Sequence, residues 1–171
     1  AACGSQQTQL PDWLERAYAI PGLHIDVGAP TRTIKNWLAS VTLLDMLGFP
    51  LAAKGVDFGA GLGLYARLMR SSGWNFFAYD KFSYPSFANY FLVDDVGKAS
   101  AEVLTAFEVF EHLPYPSQTL DSLFGAGASL IIFTTWLVDG QPSDWIYYLP
   151  ECGQHVFFYS DKGLRELAER H

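Results

Sequence analysis

The sequence predicts an α/β fold, a parallel sheet flanked by helices, on three observations. Short apolar runs of strand length alternate with amphipathic helical segments, a glycine-rich turn "DFGAGLG" follows the first of those strands, and a carboxylate, Asp80, closes the second. Half of the 171 residues are hydrophobic, enough for one sizeable core. The expected organisation is a helical cap over residues 1–50 and a single globular domain over residues 51–171.

Each element has its own local signal. "AACGSQQTQLP" is polar and turn-like. "DWLERAYAI" has apolar residues at helical spacing behind Asp12 in a capping position. "TRTIKNWLASVTLLDML" places Ile34, Trp37, Leu38, Val41, Leu44 and Leu47 on one helical stripe, and "GFP" ends it. From there "KGVDF" reads as a strand, "LYARLMRSS" as a helix and "NFFAYD" as a strand. "YFLVDD" reads as a further short strand, "AEVLTAFEVF" as a strand, "SQTLDSLFGA" as a helix and "SLIIFTTWL" as a strand. "SDKGLRELAER" closes the series as a helix capped by Ser160. The chain starts without Met and stops inside that helical segment, so a trimmed chain is expected.

Composition excludes several classes of partner. Eleven Lys and Arg against eighteen Asp and Glu give a net charge of −7, with no basic cluster to neutralise a run of phosphates, so nucleic acid is not expected. No apolar run approaches the roughly 18 residues that span a bilayer, and no secretory leader is apparent; a cytoplasmic protein without a membrane partner is expected. The two cysteines, Cys3 and Cys152, lack a CxxC partner and are too few for a disulfide framework or a zinc site. Nothing in the sequence sets the oligomeric state.

The glycine turn narrows the ligand. Gly59, Gly61 and Gly63 are spaced GxGxG, because the position a dinucleotide fingerprint needs is Leu64, and no Gly-Lys-Ser/Thr follows for a phosphate loop. Glycines let the backbone approach a ligand closely. The acidic Asp57 would repel a pyrophosphate while suiting a cationic or hydrogen-bond-donating group. Asp80 lies 17 residues beyond Gly63, at the tip of the second strand, where a carboxylate can accept both hydroxyls of a ribose. A nucleoside ligand with a cationic part satisfies both carboxylates.

These residues resemble the S-adenosylmethionine (SAM) site of the class I SAM-dependent methyltransferases. Beyond the turn, "FFAYDKF", "LTAFEVFEHLPYP" and "DWIYYLPECGQHVFFYSDKGL" are similar to a bacterial group of small methyltransferases, of the type 23 and type 11 kind, often linked to glycan biosynthesis. The resemblance implies a Rossmann-like sheet, SAM as cofactor and S-adenosylhomocysteine (SAH) as product. It implies that Gly59, Ala60, Gly61 and Gly63 line the methionine part of SAM with Asp57 near its amino group. Asp80, with Lys81 beside it, would take the ribose; Asp94 or Asp95 would lie near adenine; Phe107 and Glu108, at the fourth strand's tip, would lie near the methyl group. Relatives often begin with a CxxCG zinc-type knuckle, of which "AACGS" keeps only Cys3, so no metal is expected there. The class also ends in an antiparallel strand pair that would fall beyond His171.

Methyl transfer from SAM is an in-line displacement, so orientation is the main requirement and a base is needed only for a hydroxyl acceptor. Candidate bases are Glu111, His112, Asp139 and His155. Three of them have a structural alternative: Glu111 and His112 as shapers of the cofactor pocket, His155 as a histidine fixing its loop. Trp136, Trp145, Tyr147, Tyr148 and Tyr159 form an aromatic set that is either core or a wall for a sugar ring or other planar acceptor. His24 and Arg32 could close over the site, although a solvated face fits Arg32 better. The leading expectation is methylation of a small-molecule acceptor, at a hydroxyl of a sugar or glycan precursor. The alternative is a SAM-binding module without catalysis, acting as a regulatory or partner subunit. An acceptor nitrogen stays open, and a nicotinamide oxidoreductase is disfavoured by the glycine spacing.

Overall fold

The computed structural model describes residues 2–18 and 26–171, so His24 lies outside the described residues. The chain divides into two compact units, one made of Gly22–Phe107 and Ser122–Phe133, the other of Ala1–Pro21, Glu108–Asp121 and Thr134–His171. No helix among the described residues is long and apolar enough to cross a membrane.

The first unit carries the parallel sheet. Helix α2 (Ala29–Met46) precedes β2 (Lys54–Phe58), α3 (Leu64–Ser71), β3 (Asn75–Tyr79), β4 (Val103–Phe107) and β5 (Leu130–Thr134, its last residue belonging to the second unit), with strand order β3-β2-β4-β5. Strand β2 runs parallel to β3, with Asp57 level with Ala78, and parallel to β4, with Asp57 level with Thr105. The order reverses at β2, which makes the carboxyl end of β2 the topological switch point where open α/β sheets take their ligands.

Helix α2 stops through a local device. Gly48 adopts φ +74°, its N–H donates to Asp45 O and the Phe49 N–H to Leu44 O, closing the paired bonds of a Schellman turn. Phe49 and Leu44 then meet in the core with Tyr65, Met69, Trp74, Phe76 and Val103. Of the six residues on the expected stripe, Leu44 is buried and Trp37 and Val41 pack against the same core, whereas Ile34, Leu38 and Leu47 are exposed.

The expected strand "YFLVDD" is reduced to a single bridge between Leu92 and Ala78. Ala78 N–H donates to Phe91 O and Val93 N–H to Ala78 O, but β3 ends one residue later. Asp95 instead turns its carboxylate onto Gly97 N–H and pairs with Lys98 at 3.2 Å, capping a 3-10 turn.

The second unit contains β1 (Gln6–Gln7), α1 (Leu14–Tyr18), α4 (Pro116–Phe124, its last three residues belonging to the first unit), β6 (Phe157–Phe158) and α5 (Asp161–Arg170). The polar segment expected as a turn supplies β1, which pairs antiparallel with β6. Helix α1 begins at Leu14, two residues after Asp12. Ser160 caps α5 as expected, its Oγ accepting from Gly163 N–H at 2.9 Å. The core of this unit gathers Val138, Trp145, Tyr147 and Phe158.

Candidate functional site

In the first unit the site starts from the turn after β2. Gly59, Gly61 and Gly63 all have positive φ, at +73°, +54° and +80°, a conformation in which only glycine is free of strain. The turn is pinned to β3, since the N–H groups of Gly59 and Ala60 both donate to Tyr79 O. The three glycines are not equivalent. A Cβ on Gly61 would meet nothing within 4 Å, so its face is open, whereas one on Gly63 would lie 2.9 Å from Pro85 Cβ and 3.0 Å from Ala88 Cβ. Gly63 is therefore a packing glycine, and Gly63→Ala should destabilise the fold by about 2–3 kcal/mol in a urea titration, from left-handed strain plus crowding. A change below ~0.5 kcal/mol would remove that reading of the turn.

Two carboxylates flank the turn. Asp57 is 4% exposed and accepts from Thr105 Oγ1 at 2.8 Å. Burial raises its pKa to about 7, the Thr105 hydroxyl opposing and the Asp80 charge adding to the rise. A buried carboxyl poised near neutrality is suited to meeting a cation. Asp80 Oδ2 accepts from Gly61 N–H at 2.7 Å, while Oδ1 accepts from Phe82 and Ser83 N–H at 2.8 and 2.7 Å. Oδ1 is taken by its two donors, while Oδ2 retains a second lone-pair direction, so the group can brace the turn and still accept a hydroxyl at Oδ2.

The remaining expected cofactor residues differ in freedom. Lys81 is exposed with its ammonium over the Phe82 ring, Asp94 is exposed, and Asp95 is occupied by its turn and Lys98. Ala60 packs with the small-residue cluster of Ala66, Ala78 and Ala88, and the Phe107 ring meets Tyr65 edge-on at 4.9 Å. Arg32 pairs with Asp26.

In the second unit the chain leaves β4 through Glu108, a non-glycine residue at φ +54°. Thr134 holds this strained backbone: its Oγ1 donates to Glu108 Oε1 at 2.8 Å, and the Glu108 N–H lies 3.2 Å from Thr134 O. Strain retained in this way is characteristic of sites where a side chain must be aimed.

A short 3-10 turn, Phe110–His112, follows and presents two of the candidate bases. Glu111 is 0% exposed, with Oε1 accepting from Tyr147 OH at 2.7 Å and Oε2 from Thr135 Oγ1 at 3.1 Å. Burial raises its pKa, with the Tyr147 hydroxyl the largest opposing influence. His112 Nδ1 faces Gln154 O at 3.0 Å and His155 Nδ1 faces Tyr147 O at 2.6 Å, with the two rings edge to face at 4.9 Å. Glu111, His112 and His155 thus meet in one group, while Asp139 is spent on the N-terminus of α5, accepting from Asp161 N–H at 2.7 Å.

The aromatic set divides. Trp145, Tyr147 and Tyr159 are buried, and the Tyr159 hydroxyl points to Phe110 O at 3.4 Å. Tyr148 reaches Gln6 Oε1 at 3.2 Å. Trp136 alone of the five is exposed, at 55%, with its ring stacked over Tyr147 at 5.6 Å.

The supporting threonines were not anticipated. Thr105, Thr134 and Thr135 stand where apolar strands, "VLTAF" and "LIIFTT", switch to a hydroxyl. That switch is their only sequence signal. No curated protein matches the chain. The chain matches the methyltransferase domain family over residues 25–171 and belongs to it, a SAM-dependent methyltransferase of the class I fold.

Proposed function

We propose that the chain methylates a hydroxyl of a small sugar or glycan precursor. SAM is held at the β2 turn, where Gly61 supplies an open backbone face, Asp57 meets the amino acid moiety and Asp80 accepts from the ribose. Asp94, exposed and without the capping duty of Asp95, serves the adenine side. The protein works in the cytoplasm on a soluble acceptor.

The observation that carries the acceptor reading is the exposed Trp136 ring stacked on Tyr147, whose hydroxyl bonds Glu111. An exposed indole offers a flat apolar face to a sugar ring. The neighbouring carboxylate and two imidazoles offer groups that orient a hydroxyl and ease the loss of its proton, a need that an oxygen nucleophile has and an amine has less.

The test is SAH release from SAM in the presence of nucleotide sugars, free glycans and amines as separate acceptor pools. Turnover with a hydroxylated acceptor is expected. Trp136→Ala should then raise the acceptor KM by roughly three- to tenfold, the worth of one lost ring contact, with SAM affinity unchanged. Turnover confined to the amines, or an unaltered KM, would refute the acceptor assignment.

A further inference from the structure

We propose that Glu111, His112 and His155 form a binding site for a divalent metal ion of the zinc class. One ligand atom from each of the three lies within 4.8 Å of the other two. Around a tetrahedral zinc, with bonds of about 2.0–2.2 Å to nitrogen and oxygen, ligand atoms sit about 3.3 Å apart. Between the three atoms so measured, the gap to close is at most ~1.5 Å.

The surroundings of the three residues are those of metal ligands. A ligating histidine typically gives its other ring nitrogen to a carbonyl or carboxylate, which fixes tautomer and orientation. Both histidines do so through Nδ1, His112 to Gln154 O and His155 to Tyr147 O, which makes Nε2 the ligand nitrogen of each ring. The carboxylate is oriented in the same manner, by Tyr147 OH and Thr135 Oγ1, and each of its oxygens has a further lone pair to give. The backbone ties the two segments together, because Val156 N–H donates to Glu111 O at 2.8 Å. Tyr147 is thus a positioning residue twice over, orienting Glu111 with its hydroxyl and His155 with its carbonyl.

Burial supplies the reason for a cation. Glu111 is fully enclosed, and hydroxyl donors orient a carboxylate without balancing its charge. Two imidazoles and one carboxylate match zinc and its first-row neighbours; magnesium and calcium prefer oxygen-rich, partly hydrated sites. Three protein ligands leave a fourth position open. Its use by an acceptor hydroxyl, which would lose its proton more readily there, rests on the function proposed above. The existence of the site does not.

The experiment titrates the chelator-treated full chain with Zn²⁺ by calorimetry, without SAM or acceptor, and records the visible spectrum after Co²⁺ addition. One Zn²⁺ per chain and the intense visible bands of tetrahedral Co²⁺ are expected. His155→Asn and His112→Asn should each weaken binding by about 100-fold or more, since even supporting residues cost 10–100-fold. His171→Asn, at the exposed pair with Asp121, should change nothing. Glu111→Gln serves as a third variant where circular dichroism shows it folded. A folded wild-type chain that takes up no Zn²⁺, or uptake indifferent to both His155→Asn and His112→Asn, would overturn the proposal. SAM binding by the metal-free chain, measured in parallel, separates that failure from failure of the methyltransferase site.

Discussion

Asp80→Ala should reduce SAM affinity by at least about 100-fold, and SAH affinity in step. A charge-assisted hydrogen bond from a ribose hydroxyl to the open direction on Oδ2 is worth about 1.5–3 kcal/mol, and loosening of the turn that Asp80 braces adds to the loss. The variant also frees the Gly61, Phe82 and Ser83 N–H groups that Asp80 accepts from, so the turn loses its brace as well as its clamp. Asp80→Asn separates the two roles. Its amide oxygen can still accept from Gly61 N–H and one hydroxyl without charge assistance, so its affinity should fall between wild type and Asp80→Ala. Titration calorimetry at constant pH reads both. Wild-type affinity in Asp80→Ala would remove Asp80 from the cofactor site.

The features legible in the sequence are those whose cause is local. The turn after β2 is written in three glycines at fixed spacing, the stop of α2 in Gly48, and the cap of α5 in Ser160 with Gly163 three residues on. Strand and helix alternation follows from short periodic runs that need no distant partner to be recognised. Features set by distant chain were not legible. β1 is two glutamines with little strand preference that extend only because Phe157 and Phe158 lie opposite. The α2 stripe shows periodicity, but which part is covered depends on α3 and its neighbours, and Ile34, Leu38 and Leu47 stay exposed.

The same division runs through the site. The places of Asp57 and Asp80 beside the turn follow from local sequence, because one stands next to the last residue of β2 and the other directly after β3. The hydroxyl that Asp57 bonds comes from Thr105, 48 positions away on β4. The meeting of His112 with His155 spans a comparable stretch, and no metal-ligand spacing in the sequence announces it. The aromatic segment shows the limit of composition: Trp145, Tyr147 and Tyr159 are core and Trp136 is surface, a distinction that burial makes and residue type does not.

Asp57→Asn should cost SAM binding while making the empty protein more stable at alkaline pH. In the folded protein the Asp57 pKa is raised from 3.8 to about 7, chiefly by burial. Between those values the folded state holds a proton that the unfolded chain has released, so this carboxyl's contribution to stability falls as pH rises from about 4 to about 7. The neutral amide removes that loss and keeps an oxygen for Thr105 Oγ1. The Tm difference between variant and wild type should therefore widen, in favour of the variant, by several degrees between about pH 5 and pH 8. Binding carries the opposite sign. A cationic amino group selects the ionised carboxylate, so wild-type SAM affinity should rise by up to tenfold per pH unit from about pH 5 and level off near pH 7, with release of a proton. Asp57→Asn should bind weakly at every pH and without that slope. A pH-independent wild-type affinity would place the amino group elsewhere. A variant no more stable than wild type at pH 8 would mean that Asp57 is not a carboxyl held against its burial for the sake of its ligand.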